Sequence, residues 1–202
     1  MSHPDWDARY RASDTPWDSG RPSPELARAL AAHACGPCAA LELGCGTGTN
    51  AVWLAQQGFR VTACDLSATA LEVARARAAA AGVEVTFLER DLLADPDVGG
   101  PFDFVFDRGV YHVLRRVDAA AVLGTLARIT HPGSRYLVIT GNANDPSEAP
   151  GPPKVHAHEL CAELQPWWDL VELREMVFDG VHHAGVPVEP LAWSGWFRRR
   201  SG

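Results

Sequence analysis

From residue 39 onward the chain alternates short apolar runs with longer stretches whose apolar and alanine positions recur at helical spacing. Ala39 to Leu43, Arg60 to Cys64, Glu84 to Leu88, Phe102 to Phe106 and Arg135 to Thr140 read as strands, since each is short, apolar and flanked by turn residues. Between them, Thr49 to Gln57, Ser67 to Ala81 and Asp118 to Thr130 read as helices, closed by Gly58, Gly82 and Pro132-Gly133. Strands that are apolar throughout, joined by helices, predict a parallel sheet covered on both faces.

The flanking regions differ. The first part, Pro4 to Pro24, is rich in Pro, Trp and Asp and reads as an irregular arm with a short helix around Asp5 to Arg11. Ser23-Pro24-Glu25 then opens a helix, with Ser23 as cap, Pro24 in the first turn, and Leu26 and Leu30 on one face. After a Gly/Pro/Asn/Asp loop from Asn142 to Pro153 come a short helix, His156 to Leu164, and two β-rich runs, Leu170 to Phe178 and Leu191 to Arg198. Two strands without an intervening helix predict an antiparallel arrangement at one sheet edge, linked by the turn-rich Gly180 to Pro190 segment.

Composition narrows the picture. With 202 residues the chain is the size of one domain, and 47% hydrophobic with 21% charged residues suits a globular enzyme. A formal charge of -7 argues against nucleic acid or an anionic membrane as partner, because phosphate binding needs a basic field. No apolar run approaches the ~20 residues that span a bilayer. The opening residues lack a secretory pattern, so a cytoplasmic location is expected. The five cysteines, 35, 38, 45, 64 and 161, then read as free thiols. Cys35-Gly-Pro-Cys38 matches a redox tetrapeptide, but it follows a helix and precedes a strand, so Gly36-Pro37 reads as a helix stop. His182-His183 with Asp179 has a metal-like look, yet adjacent histidines point apart in extended chain; no metal is expected.

Three features fall where a doubly wound sheet puts its ligand, at the carboxyl ends of strands. The loop Glu42-Leu-Gly44-Cys-Gly46-Thr-Gly48 follows the first strand and opens a helix. Asp65 closes the second strand, where two carboxylate oxygens suit two vicinal ribose hydroxyls. Asp91 follows the third, placed for an adenine amino group. A dinucleotide would want a third glycine at position 49, which is Thr, and Glu42 would repel a pyrophosphate. The same carboxylate suits a sulfonium ligand carrying an ammonium group.

This ordered set resembles the nucleotide-contacting motifs of class I S-adenosylmethionine-dependent methyltransferases. Trp6, Tyr10, Thr15-Pro16-Trp17-Asp18, Asp107-Arg108-Gly109 and Gly151-Pro152-Pro153 are further similar to the thiopurine S-methyltransferase branch and its thiol/halide relatives. The resemblance implies a single domain over 1–202: a lid and helices to 38, a cofactor-binding core over 39–142, and an acceptor loop with a β-rich part over 143–202. Its fold would be α/β, a doubly wound, mostly parallel seven-stranded sheet with an antiparallel C-terminal edge strand and an N-terminal helical lid. Carried over, Gly44, Gly46, Asp65, Leu66, Asp91 and Leu92 would hold the cofactor under Trp17. Asp107 would face the methionine moiety and Arg108 the acceptor. The chain departs from that branch in being shorter and in continuing Arg108-Gly-Val-Tyr111-His112.

The expected reaction is in-line displacement of the methyl group onto a small acceptor, releasing S-adenosylhomocysteine. A thiol or related soft nucleophile is favoured, because a thiol near pKa 8.5 needs no strong base. Arg108 would steady the acceptor and His112 would take a proton. O- or N-methylation of a small metabolite, or a non-catalytic adenosylmethionine sensor, are the alternatives. A monomer or homodimer is expected.

Overall fold

The computed structural model describes residues 5–148, 151–179, 181–183 and 186–201, without the side chain of His183. Two helices, α1 (Trp6–Arg11) and α2 (Pro24–Ala32), precede β1 (Ala39–Leu43). An alternating core follows: α3 (Thr49–Gln56), β2 (Arg60–Asp65), α4 (Ala68–Ala81), β3 (Val85–Glu89), β4 (Phe102–Arg108), α5 (Tyr111–Arg128) and β5 (Thr130–Asn142). The remainder comprises β6 (Lys154–Val155), α6 (Ala157–Leu164), β7 (Trp168–Val177), β8 (Val181–His183), β9 (Val186–Val188) and β10 (Leu191–Arg199).

The main sheet runs β3-β2-β1-β4-β5-β10-β7, with β6 added to the end of β5. The first five strands are parallel, and the order reverses at β1, whose neighbours are β2 and β4. That reversal opens a crevice at the strands' carboxyl ends. The C-terminal strand is antiparallel, as expected, and lies one place in from the edge: β10 pairs with β5 on one side and β7 on the other. β8 and β9 form a separate antiparallel pair.

Alternation along the central strands fills two cores. Phe104 and Phe106 of β4, with Leu137 and Ile139 of β5, pack beneath Leu26, Leu30 and Leu54 of α2 and α3. The opposite face carries Val105, Tyr136 and Val138 against Tyr111, Leu126 and Leu160 of α5 and α6. Each large side chain fully buried here contributes about 1.5–3 kcal/mol to stability.

Local signals explain the boundaries and one departure. Ser67 Oγ accepts the Ala70 amide and Gly82, at φ 66°, closes α4 as its spacing foretold. Ser23 makes no cap bond; its own amide instead donates to Asn50 Oδ1 at 2.8 Å. The fifth helix starts earlier than its pattern suggests. A first turn runs from Tyr111, the backbone leaves helical geometry at Asp118 (φ -155°, ψ 94°), and Asp118 Oδ1 then caps the remainder through Ala121 N at 2.9 Å. The cap at Asp118 was legible, but the turn ahead of it was masked by a mixed sequence. Among the described residues no helix is long and apolar enough to cross a membrane.

Candidate active site

A cavity of about 720 Å³ occupies the crevice, within the ~300–1,000 Å³ usual for small-molecule sites. Its floor is the glycine loop between β1 and α3. Gly46 takes φ 53°, and a Cβ there would come within 2.6 Å of the Tyr10 hydroxyl, so only glycine lets the arm close over this loop. Gly44 and Gly46 line the cavity, whereas Gly48 does not. Gly48, at φ 77°, instead allows α3 to approach α4, where a Cβ would meet that of Ala74 at 2.7 Å.

Asp65 holds the loop. Its Oδ2 accepts the Gly46 amide at 2.8 Å and its Oδ1 the Ser67 amide at 2.9 Å, while further lone pairs remain toward the cavity. Leu66, Asp91 and Leu92 continue the wall, and Asp91 Oδ1 accepts the amides of Leu93 and Ala94. Glu42 is 2% exposed. Asn50 donates to its Oε1 at 3.2 Å, and Oε2 is buried without a protein partner. Burial pushes this carboxyl up to about 8.

The roof is the N-terminal arm. Asp7 accepts from Ser67 Oγ and the Thr69 amide, fastening α1 to the start of α4; these bonds hold its carboxyl down at about 2. Trp17 packs edge-on to Trp6 and Tyr10, donates its indole N–H to Tyr10 Oη at 3.1 Å, and carries the Arg9 guanidinium 4.3 Å over its ring. Asp18 accepts from Thr47 Oγ1 at 2.7 Å, tying the arm to the glycine loop.

The three residues expected to carry the chemistry take different positions. Asp107 lies outside the lining of the large cavity. Its carboxylate accepts the amides of Val110 and Tyr111 at the start of α5 and the Tyr136 hydroxyl. Desolvation pushes it up to about 6. Arg108 does line the cavity, and two of its five N–H donors hold backbone carbonyls of the covering segments. Nη1 reaches Trp17 O at 3.2 Å and Nη2 reaches Asp179 O at 2.6 Å, with Asp179 Oδ1 at 3.7 Å and the Phe178 ring 5.2 Å from the guanidinium. The two lids also meet directly, through the His182 amide and Pro16 O at 2.8 Å.

His112 lines the cavity and is 4% exposed. Its Nδ1 accepts the Gly141 amide at 3.0 Å, which places the ring proton on Nε2. Burial lowers its pKa to about 3. The ring is therefore a neutral donor, not the proton acceptor its sequence position suggests. A rate profile between pH 5.5 and 8 should show no inflection from this group. His112→Asn, whose amide oxygen can take the Gly141 N–H, should keep turnover within roughly tenfold, where loss of a working general base costs 10²–10⁴. A larger loss, with a new pH dependence, would restore the base role.

Residues 40–133 match the family described as methyltransferase domain. A solved structure from work on the conversion of a disulfide bond into a thioacetal group during echinomycin biosynthesis is 30% identical, with a TM-score of 0.81. That likeness covers 96% of this chain and 91% of the other. A 2-heptyl-1-hydroxyquinolin-4(1H)-one methyltransferase from Mycobacteroides abscessus is 26% identical over 80% of this chain and 72% of its own length. A ubiquinone biosynthesis O-methyltransferase from Marinobacter nauticus is 30% identical over 75% of this chain; the chain spans 65% of that protein. The chain belongs to the class I S-adenosylmethionine-dependent methyltransferases.

The site of this methyltransferase fits S-adenosylmethionine, the family's cofactor. Glu42 lines the cavity and keeps one buried carboxylate oxygen without a hydrogen bond, an acceptor suited to the ammonium of a methionine moiety. Asp65 retains acceptor capacity for a ribose. Asn50, Thr47 and Phe178 also border the site; none stood out in the sequence, since each acts through a fold contact rather than a motif. Of the metal-like trio, His182 lines the mouth and Asp179 meets Arg108, while the side chain of His183 is outside the described residues. Among the described residues no group of three or more ligands could hold a metal.

Proposed function

We propose that this methyltransferase moves the methyl group of S-adenosylmethionine to a sulfur atom of a small, largely apolar molecule. The observation that carries the reading is His112: this cavity-lining imidazole has its Nδ1 taken by the Gly141 amide and so offers no free base. Sulfur nucleophiles tolerate such a site, because they need little or no help in losing a proton. Val113, Leu114, Pro152, Pro153, Phe178 and Val181 give the acceptor side apolar walls. The resemblance to a protein concerned with a disulfide and a thioacetal supports a sulfur acceptor as well.

The cofactor supplies an activated methyl on a sulfonium, and the protein's task is alignment and exclusion of water. Glu42, Asp65, Asp91 and the glycine loop would hold the nucleoside and amino-acid ends. The Trp17 arm covers the cavity, and His112, with Nδ1 taken by the Gly141 amide and its N–H held by the Gly109 backbone, stands in the wall as a neutral ring.

A second reading has its own support. Oxygen methylation fits the ubiquinone-pathway relative, and it would need a base, for which His182 at the mouth is the available imidazole. Labelled cofactor offered to aliphatic thiols, cyclic disulfides, phenols and amines tests both. Label on sulfur compounds, unaffected by His182→Ala, is the expected outcome. Turnover confined to phenols or amines rejects sulfur, and tight cofactor binding without turnover on any acceptor favours a sensor.

A further inference from the structure

At the opposite end of the sheet from the cofactor cavity, the starts of β1, β4 and β5 gather a second group of reactive side chains. Cys35 and Cys38 flank the Gly36-Pro37 turn between α2 and β1. Cys35 is buried at 6% exposure and Cys38 is half-buried. The two thiols interact across the turn, and Arg135 Nη1 of β5 lies 3.6 Å from Cys35 Sγ. Asp103 of β4 lies near enough for its charge to oppose ionisation of both thiols, while its oxygens accept the Ala39 amide at 3.0 Å and pair with His131 Nε2 at 3.1 Å. The backbone is pinned on both sides of the turn, by Cys35 N to Leu30 O at 2.9 Å and Arg60 N to Cys38 O at 3.0 Å. The remaining cysteines have no such arrangement: Cys45 and Cys64 are buried near the cofactor loop, and Cys161 sits on α6.

We propose that Cys35 and Cys38 form a reversible dithiol–disulfide couple that exchanges with small-molecule disulfides. Two thiols that interact across a single turn are placed for exchange with a disulfide, and a guanidinium beside one sulfur favours its thiolate. The surroundings hold Cys35 down at about 7 and drive Cys38 upward, so the first charge of the pair settles on the buried sulfur.

Exchange then follows in two steps. As the half-exposed Cys38 sulfur attacks one sulfur of a disulfide RSSR, its proton passes to the Cys35 thiolate. A Cys38–SR bond forms and RS⁻ leaves. Cys35 gives up its proton to that departing thiolate, and its own thiolate, favoured by Arg135, attacks the Cys38 sulfur and expels the second RS⁻, which is protonated by solvent. Two protein thiols are oxidised and one small disulfide is reduced to two thiols.

The test equilibrates the full chain with oxidised and reduced glutathione and reads intact mass and cysteine-containing peptides. The expected product is a species lighter by two hydrogens, with the lost hydrogens mapped to Cys35 and Cys38 and restored by excess reduced glutathione. Cys35→Ser should trap glutathione on Cys38, raising the mixed disulfide at least roughly tenfold over the native chain. Retained binding of S-adenosylhomocysteine by that variant shows that it is folded. Thiols 35 and 38 that stay free to alkylate, a disulfide mapped to other cysteines, or no trapped adduct in Cys35→Ser would each overturn the proposal.

Discussion

Replacing Glu42 by glutamine should weaken binding of S-adenosylmethionine by roughly ten- to a hundredfold at pH 8, the worth of one charge-assisted hydrogen bond. The effect should shrink as pH falls. Without cofactor, burial holds the Glu42 carboxyl near 8, so at pH 6 it is protonated and must ionise before it can accept from an ammonium. Cofactor affinity in the native chain should therefore rise with pH, by up to about tenfold per unit below 8, and level off above. Calorimetry at pH 7 in buffers of different ionisation enthalpy should register release of most of one proton on binding. Glu42→Gln should show neither the proton release nor the slope. A native chain whose affinity is flat from pH 6 to 8.5 would remove Glu42 from the ammonium site.

The same group predicts the sign of an effect on stability. A carboxyl whose folded value is raised from 4.5 to about 8 disfavours the folded state once it must ionise. The stability that it leaves intact below pH 4.5 is lost progressively as pH rises to 8. Glu42→Gln without cofactor should thus melt above the native chain at pH 8, by on the order of a few kcal/mol, and match it near pH 4.5. Weaker binding together with greater stability would identify a residue strained for its ligand.

Arg108→Met should lower kcat/KM by roughly a hundredfold or more and speed the release of S-adenosylhomocysteine. The guanidinium joins Trp17 of the arm to Asp179 beside the β8–β9 pair, and removing it leaves the partly buried Asp179 carboxylate unopposed. Breaking such a buried pair by deleting one partner costs about 3–5 kcal/mol. Because the Trp17 arm lies outside the two cores, the loss should appear as opening of that arm rather than global unfolding. Stopped-flow tryptophan fluorescence should report faster product release, and proteolysis within residues 12–22 should no longer be slowed by cofactor. Arg108→Lys should recover only part, since one ammonium cannot span both carbonyls in the guanidinium's fixed fork. Unchanged release with a loss confined to acceptor KM would return Arg108 to the acceptor contact that its motif suggests.

Much of this molecule was legible in its sequence, for physical reasons that differ by region. The parallel core was readable because its strands are buried on both faces and its helices end in Gly58 and Gly82, so pattern and punctuation agree. The glycine loop and Asp65 were readable because steric and charge requirements leave few residue choices. The lids were not. Arg108 looks like a ligand contact in one dimension, and only the return of Phe178 and Asp179 over the cavity shows that two of its donors also join the covering segments. Asp107 has a similar second role: the end of a strand is both where ligands bind and where the next helix's first amides need acceptors. His112 depended on a long-range fact, the position of the Gly141 amide, which no local pattern encodes.

The position of β10 carries a consequence for how the chain reaches this state. β7 is made before β10 yet, among the described residues, pairs with no other strand, so the outer strand has no ladder to join until a later segment has inserted beside β5. In between, the long β5 offers an open row of backbone donors and acceptors, a surface on which unrelated strands can template. The order of synthesis and the order of assembly are thus reversed at this edge, and the interval between them is when the nascent protein is most exposed to misassociation.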